Sequence, residues 1–146
     1  MDTKRVNQAV ACFKNDFNCS QAVFSTYAEQ FGLEKQLALK VSCAFGAGMA
    51  GMTETCGAVT GALMVIGLKH GKARPDNDAA KQKTYALARE FVERFKAKHG
   101  TIVCRELLGC DIGTDEGKRV FDENQHQEKL CAKFVEDAVS ILEEIL

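Results

Sequence analysis

Seven cysteines fall along 146 residues: Cys12, Cys19, Cys43, Cys56, Cys104, Cys110 and Cys131. Thiolates are the nucleophiles of disulfide exchange and the usual ligands of iron-sulfur clusters and structural zinc. In a reducing compartment, so many cysteines point to metal binding or redox chemistry ahead of a disulfide frame, and an odd number does not close such a frame. The sequence has no C-x-x-C pair and no Cys/His tract, which argues against a zinc ribbon or knuckle. Separated cysteines still converge when each opens a different helix, and convergence serves a thiolate-ligated cluster and a dithiol-disulfide couple equally well. The third reading is packing, because free cysteine behaves as a small buried hydrophobe. Cys12 and Cys43, each beside apolar neighbours within a helical pattern, are read that way. Cys110, directly after Gly109, stays between an extra ligand and a resolving thiol.

The elements that must position these thiols are helical from end to end, with one proline and little strand-type alternation. A first helix over about 3–15 places Val6, Val10, Phe13 and Phe17 on one face. Asn18 is a good N-cap for a second helix that runs to Gly32, so Cys19 falls in a first turn. A third helix spans about 34–44 and ends at the glycine-rich "GAGMAGM". In "TETCGAVTGALMVIGL", Thr53 or Thr55 can cap a helix with Cys56 in its first turn and no polar face as far as His70, the pattern of a buried central helix. Gly57 and Gly61 lie one turn apart on it, where missing side chains admit a neighbouring helix or a bound group. Asp78 can cap a long amphipathic helix to about Lys98, with Tyr85, Ala88, Phe91, Val92 and Phe95 inward. The short turn "IVCRELLGC" and a polar loop lead to a last helix from about Asn124, which carries Cys131 near the stripe of Leu130, Phe134, Val135, Ala138, Ile141, Leu142 and Ile145. The expected fold is therefore all-α: one domain over 1–146, a bundle of five to six helices around a buried glycine-containing helix. Cys19, Cys56 and Cys104 at helix starts are expected to have lowered thiol pKa values, since helix N-termini favour thiolates.

Nineteen basic and twenty acidic residues give a net charge of -1, which provides no overall pull toward nucleic acid or an anionic membrane. The longest apolar stretch, 58–68, is broken by Thr60, Gly61 and Gly67 and falls short of the about 20 residues that cross a bilayer. The N-terminus has no apolar core of a secretory signal, so a cytoplasmic protein is expected. His70 and His99 read as caps at helix C-termini and His126 as solvent-facing. "GAGMAG" lacks the lysine and hydroxyl of a phosphate loop. Met49, Met52 and Met64 read as gap fillers. Glu54 is a first-turn acid or a proton acceptor beside Cys56.

The order "NCSQAV" at Cys19, "TCGAVTGALM" at Cys56, "CRELLG" at Cys104 and "CAKFV" at Cys131 resembles the C_GCAxxG_C_C family of redox-active proteins, from about Asn18 to the C-terminus. The segment reads "TCGAVTG", with threonine where the family name writes a second glycine-cysteine lead-in. The resemblance implies a small helical protein, chiefly of anaerobes, with Cys19, Cys56, Cys104 and Cys131 as its functional cysteines and Gly57 and Gly61 as motif glycines. A similar segment of split-Soret cytochromes is associated with an iron-sulfur cluster, so the resemblance implies such a cluster and no other cofactor. Haem is not implied, because no C-x-x-C-H motif occurs. The expectation is a four-cysteine site near the start of the glycine-containing helix, with Cys110 as a further candidate ligand. It would transfer electrons through a cluster or by thiol-disulfide exchange; a non-redox metal-binding or metal-delivery module is the alternative. The sequence leaves open whether the protein is an enzyme and which redox partner it meets, and its broad hydrophobic faces are compatible with a homodimer.

Overall fold

The computed structural model describes residues 3–146. Among them run α1 (Lys4–Lys14), α2 (Cys19–Ala28), α3 (Lys35–Ser42), α4 (Gly57–His70), α5 (Asp78–His99), α6 (Cys104–Leu108), α7 (Asp115–Glu123) and α8 (Ala132–Ile145). Turns of 3-10 helix follow α2 at Glu29–Phe31 and α3 at Cys43–Phe45, and a π-helical turn, Gln127–Cys131, leads into α8. The described residues form no strand, only an isolated antiparallel bridge between Thr55 and Val103. The all-helical class holds, but the described residues carry eight α-helices in place of the expected five to six. The additions come from the stretch read as a short turn and a polar loop. There α7 is capped by Thr114, whose side chain accepts from the Gly117 N–H, with Asp115 and Glu116 in its first turn.

Local chemistry explains the starts and stops. Asn18 and Gln21 form a reciprocal capping box at α2, each side chain accepting from the other's backbone N–H, at 2.9 and 3.0 Å. Asn77, one residue before the expected Asp78, caps α5 by accepting from the Ala80 N–H. Neither Thr53 nor Thr55 caps α4; Cys56 is itself the N-cap residue and makes no side-chain cap bond. Residue 32 after α2 sits at φ +87°, a left-handed position that glycine adopts without steric penalty.

The core is built mainly from α1, α2, α4, α5 and α8, with Tyr27, Val59, Ile66, Phe91, Phe95, Val135 and Leu142 fully buried. Each large side chain of this kind contributes about 1.5–3 kcal/mol on leaving water. The tightest contact joins α2 to α4. A Cβ at Gly61 would lie 2.8 Å from the Ser20 carbonyl oxygen and 3.1 Å from Val23 Cβ, and one at Gly57 would lie 3.1 Å from Cys19 Cβ. The two glycines therefore admit a neighbouring helix. α4 packs on α2, α5 and α8, while Leu63, Met64 and Leu68 remain half-buried, so its apolar surface is not enclosed on every side.

Several single-residue expectations fail for lack of a covering element. Tyr85 stands exposed with the Lys81 ammonium over its ring, and Met52 and Cys43 are exposed rather than packed. His99 serves a packing pair instead of a carbonyl cap: its ring packs tilted against Phe95 and edge-on against Phe134, and Nε2 lies 2.9 Å from the buried Asp137 carboxylate. No described helix is long and apolar enough to cross a membrane.

Candidate functional site

Four segments carry the four cysteines to one place. Cys19 is the first residue of α2, held there by the Asn18 cap, whose Nδ2 also donates to the Cys43 carbonyl. The segments before α4 and α6 run antiparallel across the Thr55–Val103 bridge. The Cys56 N–H donates to Ile102 O at 2.8 Å, and the Cys104 N–H donates to Glu54 O at 2.5 Å. Arg105 clamps this junction, donating from its backbone N–H and its guanidinium to Thr53 O, both at 3.2 Å, and pairing with Glu54 at 3.1 Å. Glu54 is thus the exposed partner of an arginine; it precedes the helix and does not line the thiol cavity. Cys131 closes the π-helical turn just before α8.

The glycine-rich connection between Phe45 and Glu54 is a left-handed coil, with φ of +52° at Ala47, +67° at Met49 and +54° at both Ala50 and Thr53. Each non-glycine residue there costs on the order of 1 kcal/mol, and such strain persists only where the surroundings fix it. Thr53 is fixed on every polar atom. Its N–H donates to Ala47 O, its hydroxyl to Asp111 Oδ1 at 3.1 Å, and its carbonyl accepts from Arg105.

All four cysteines line a partly open cavity of about 280 Å³. Its walls are apolar, with Phe13, Phe17, Leu107, Leu108, Phe121 and Phe134 among them, and the polar groups present are Asp16, Asn18 and Gln127. Gly57 lines the cavity and Gly61 does not, so Gly61 acts through helix spacing. Cys110 also lies outside the lining, yet close enough to Cys104 and Cys131 to interact with both electrostatically. Cys12 is half-buried elsewhere, 3.7 Å from the Ser25 hydroxyl. Phe17, Phe121 and Gln127 had no signal in the sequence as site residues: Phe17 read as part of the α1 face, and the other two as loop and last-helix residues.

The thiol electrostatics reverse the sequence expectation. Cys19 is raised above the ordinary thiol value, first because its proton is shared with Cys131 and then by burial. Burial pushes Cys56 up to about 11, with the backbone N–H groups of Ala58 and Val59 at the start of α4 opposing the shift. Burial also raises Cys104 to about 12, and α6 is too short at five residues to compensate. Cys131 alone is lowered, because the Cys19 thiol donates to it. Desolvation outweighs the helix N-termini, and the favoured thiolate is Cys131, whose backbone is already helical where the π-helical turn runs into α8.

Fit to an iron-sulfur cluster is decided by the donor set. Four thiols on one cavity match the four thiolates such clusters take. Among the described residues, no group of three or more His, Cys, Asp or Glu side chains is gathered as a single metal ion would need.

A helical protein whose reactive groups are concentrated in one four-thiol cavity is the class this architecture defines. Over residues 17–145 the chain matches the family described as "Putative redox-active protein (C_GCAxxG_C_C)", and it belongs to that family. The matched span contains all four cavity cysteines. No curated protein and no solved structure matches the chain.

Proposed function

We propose that the protein carries electrons through an iron-sulfur cluster held by Cys19, Cys56, Cys104 and Cys131. The observation that supports this is the convergence of four thiols from four separate segments on one apolar-walled cavity of about 280 Å³. A bound cluster would supply one-electron transfer, with its potential set by burial and by hydrogen bonds to sulfur. The chain's own part is to fix the ligands: the α2 cap at Cys19, the bridge that holds Cys56 beside Cys104, and the π-helical turn at Cys131. Phe13, Phe17, Phe121 and Phe134 limit water around them. Cys110, outside the lining, is not a ligand in this reading, and an electron partner would be met at the cavity's open side. A non-redox module for a single metal ion fares less well, because the thiols are not gathered as one ion needs.

The test is anaerobic purification with iron, acid-labile sulfide and absorbance measured on one sample. A brown protein with both elements is expected, its colour lost in Cys56→Ser and kept in Cys12→Ser. A colourless, metal-free protein would move the function to thiol-disulfide exchange, and equal effects of the two substitutions would remove the four-cysteine assignment.

A further inference from the structure

We infer that Asp16 selects by charge what reaches the thiol cavity: it turns anions away and leaves the site to uncharged molecules and cations. The inference concerns access to the site proposed above and is tested on the metal-free chain. Its basis is the order of residues along the way in. Asp16, Ala47 and Gln127 are the lining residues that stand in solvent, so they mark the mouth. Phe17, Phe121 and Cys131 are half-buried, and Cys19, Cys56 and Cys104 belong to the buried part of the wall.

Thiols aside, Asp16 is the one ionisable side chain among the described residues that line the cavity; no lysine, arginine or histidine joins it. Among the described residues no ion pair or hydrogen bond takes up its carboxylate. Lys14, two residues earlier at the end of α1, is exposed and outside the lining. The backbone fixes where the carboxylate stands. Asp16 sits at φ +67° between the end of α1 and the Asn18 cap of α2, in a left-handed region that aspartate and asparagine enter more readily than other side-chain-bearing residues. Phe13 and Phe17, before and after it, line the same cavity, so the reversal from α1 to α2 presents the charge at the rim.

An ion that passes apolar walls gives up part of its hydration, and such walls focus the field of a fixed charge beyond its strength in open water. An anion meets both costs. A cation recovers part of the first from the carboxylate, and an uncharged molecule meets neither. The positive ends of α2 and α4 do not reverse this, because Cys19 and Gly57, which begin those helices, are buried lining residues while Asp16 is exposed. Under the cluster reading, ferrous ions and dissolved hydrogen sulfide gain entry, while anionic chelators and oxidants are slowed.

The experiment treats the reduced, metal-free full-length chain with two alkylating reagents of similar size, uncharged iodoacetamide and anionic iodoacetate. With either, the cysteine sulfur displaces iodide and its proton passes to the buffer, so the ratio of the two rates at one cysteine cancels the reactivity of the thiol itself. Rates are read by peptide mass spectrometry at Cys131 and at Cys43, which is exposed and outside the cavity, and each ratio is referred to the denatured chain. The iodoacetate-to-iodoacetamide ratio is expected to fall about tenfold at Cys131 and to stay within about twofold at Cys43. Asp16→Asn, which keeps the shape and the left-handed tolerance, raises the Cys131 ratio by about three- to tenfold through the iodoacetate rate alone, and salt at about 1 M does the same on the wild-type chain. Asp16→Gly, which takes φ +67° without strain, replaces the asparagine variant if that one folds poorly. A Cys131 ratio no lower than that of Cys43, or a variant in which the ratio stays put or both reagents speed up together, would overturn the inference. Iron and sulfide analysis tests the cluster separately: a colourless protein that shows the charge selection removes the cluster and keeps the role of Asp16, and a brown protein whose metal-free form lacks the selection does the reverse.

Discussion

Half of the thiol site stands on rigid ground and half does not. Cys19 and Cys56 begin two helices locked through Gly57 and Gly61, with Ser20, Val23, Ala58 and Val59 all buried at the contact. Cys104 and Cys131 sit on a five-residue helix and a π-helical turn that flank α7, and α7 fully buries only Gly117. Both halves reach the same cavity. The first does so by regular packing, the second by clamps: Thr53 to Asp111, Arg105 to Thr53 and Glu54, and the Thr114 cap. A site with one fixed and one adjustable pair of thiols suits a group that must be admitted, held and released.

The sharpest way to break this contrast is at Gly61. In Gly61→Val, the new side chain meets the Ser20 carbonyl and Val23, neither of which can withdraw without separating α2 from α4. A loss of about 3 kcal/mol is expected, at the upper end for overpacking, with unfolding global and cooperative in a thermal melt. Loss of cavity thiol protection without a fall in melting temperature would show that the first half is not the rigid one.

Alkali acts next. Cys56 and Cys104 have folded-state values raised to about 11 and about 12 from an ordinary 9.0. Groups raised on folding stabilise the native state below the unfolded value and lose that contribution as pH climbs through the folded one. Unfolding free energy should therefore fall between pH 9 and about 12, by on the order of 2 kcal/mol per thiol near pH 11. Denaturant melts across that range check it: Cys104→Ala should flatten the slope, and an unchanged slope would mean that water reaches the cavity freely.

The same division runs through what the sequence disclosed. The caps at Asn18 and the end at Gly32, the glycine spacing of α4 and the inward stripe of α8 were legible because each rests on local periodicity or a short-range side-chain bond. α7 was not, since Val120 and Phe121 are its only sizeable apolar residues and leave too little pattern to set it apart from a loop. The π-helical turn was invisible for a related reason: one extra residue scarcely alters the spacing of Leu130, Phe134 and Val135. The gathering of Cys19, Cys56, Cys104 and Cys131 followed from family resemblance and helix starts, but their protonation order did not. Thiol burial depends on Phe13, Phe121 and Phe134 arriving from distant segments, which no local rule anticipates. Cys43 failed for the opposite reason, because its side chain stands on the exposed side of the 3-10 turn that carries it.

Gly117→Ala probes the second half directly. Its Cβ would overlap the Asp111 carbonyl oxygen and approach Thr114 Oγ1 to 2.9 Å, so the α6–α7 connection must shift. The expected cost is about 1–2 kcal/mol, appearing as faster amide exchange over 111–131 and faster alkylation of Cys104, with α2 and α4 as protected as before. Asn18→Ala falls in the first half and costs about 1 kcal/mol through the lost cap. It should raise amide exchange at the start of α2 and in the Cys43–Phe45 turn, because the Asn18 side chain also ties α2 to the Cys43 carbonyl.

Gln125→Gly asks whether the adjustable half is held by strain. Gln125 is exposed, stands at φ +55° between α7 and the π-helical turn, and donates its N–H to Asp122 O at 3.2 Å. Glycine removes the left-handed penalty of about 1–2 kcal/mol but adds unfolded-state entropy of about half that. If the turn is a passive link, the net gain is about 0.5 kcal/mol in a denaturant melt and Cys131 alkylates at an unchanged rate. If the strained residue pins the turn so that Cys131 faces the cavity, the same substitution leaves stability nearly level and speeds that alkylation. The second outcome is expected, since Gln127 and Cys131, both just beyond the residue, line the cavity and the turn between them is the part of the site least fixed by packing.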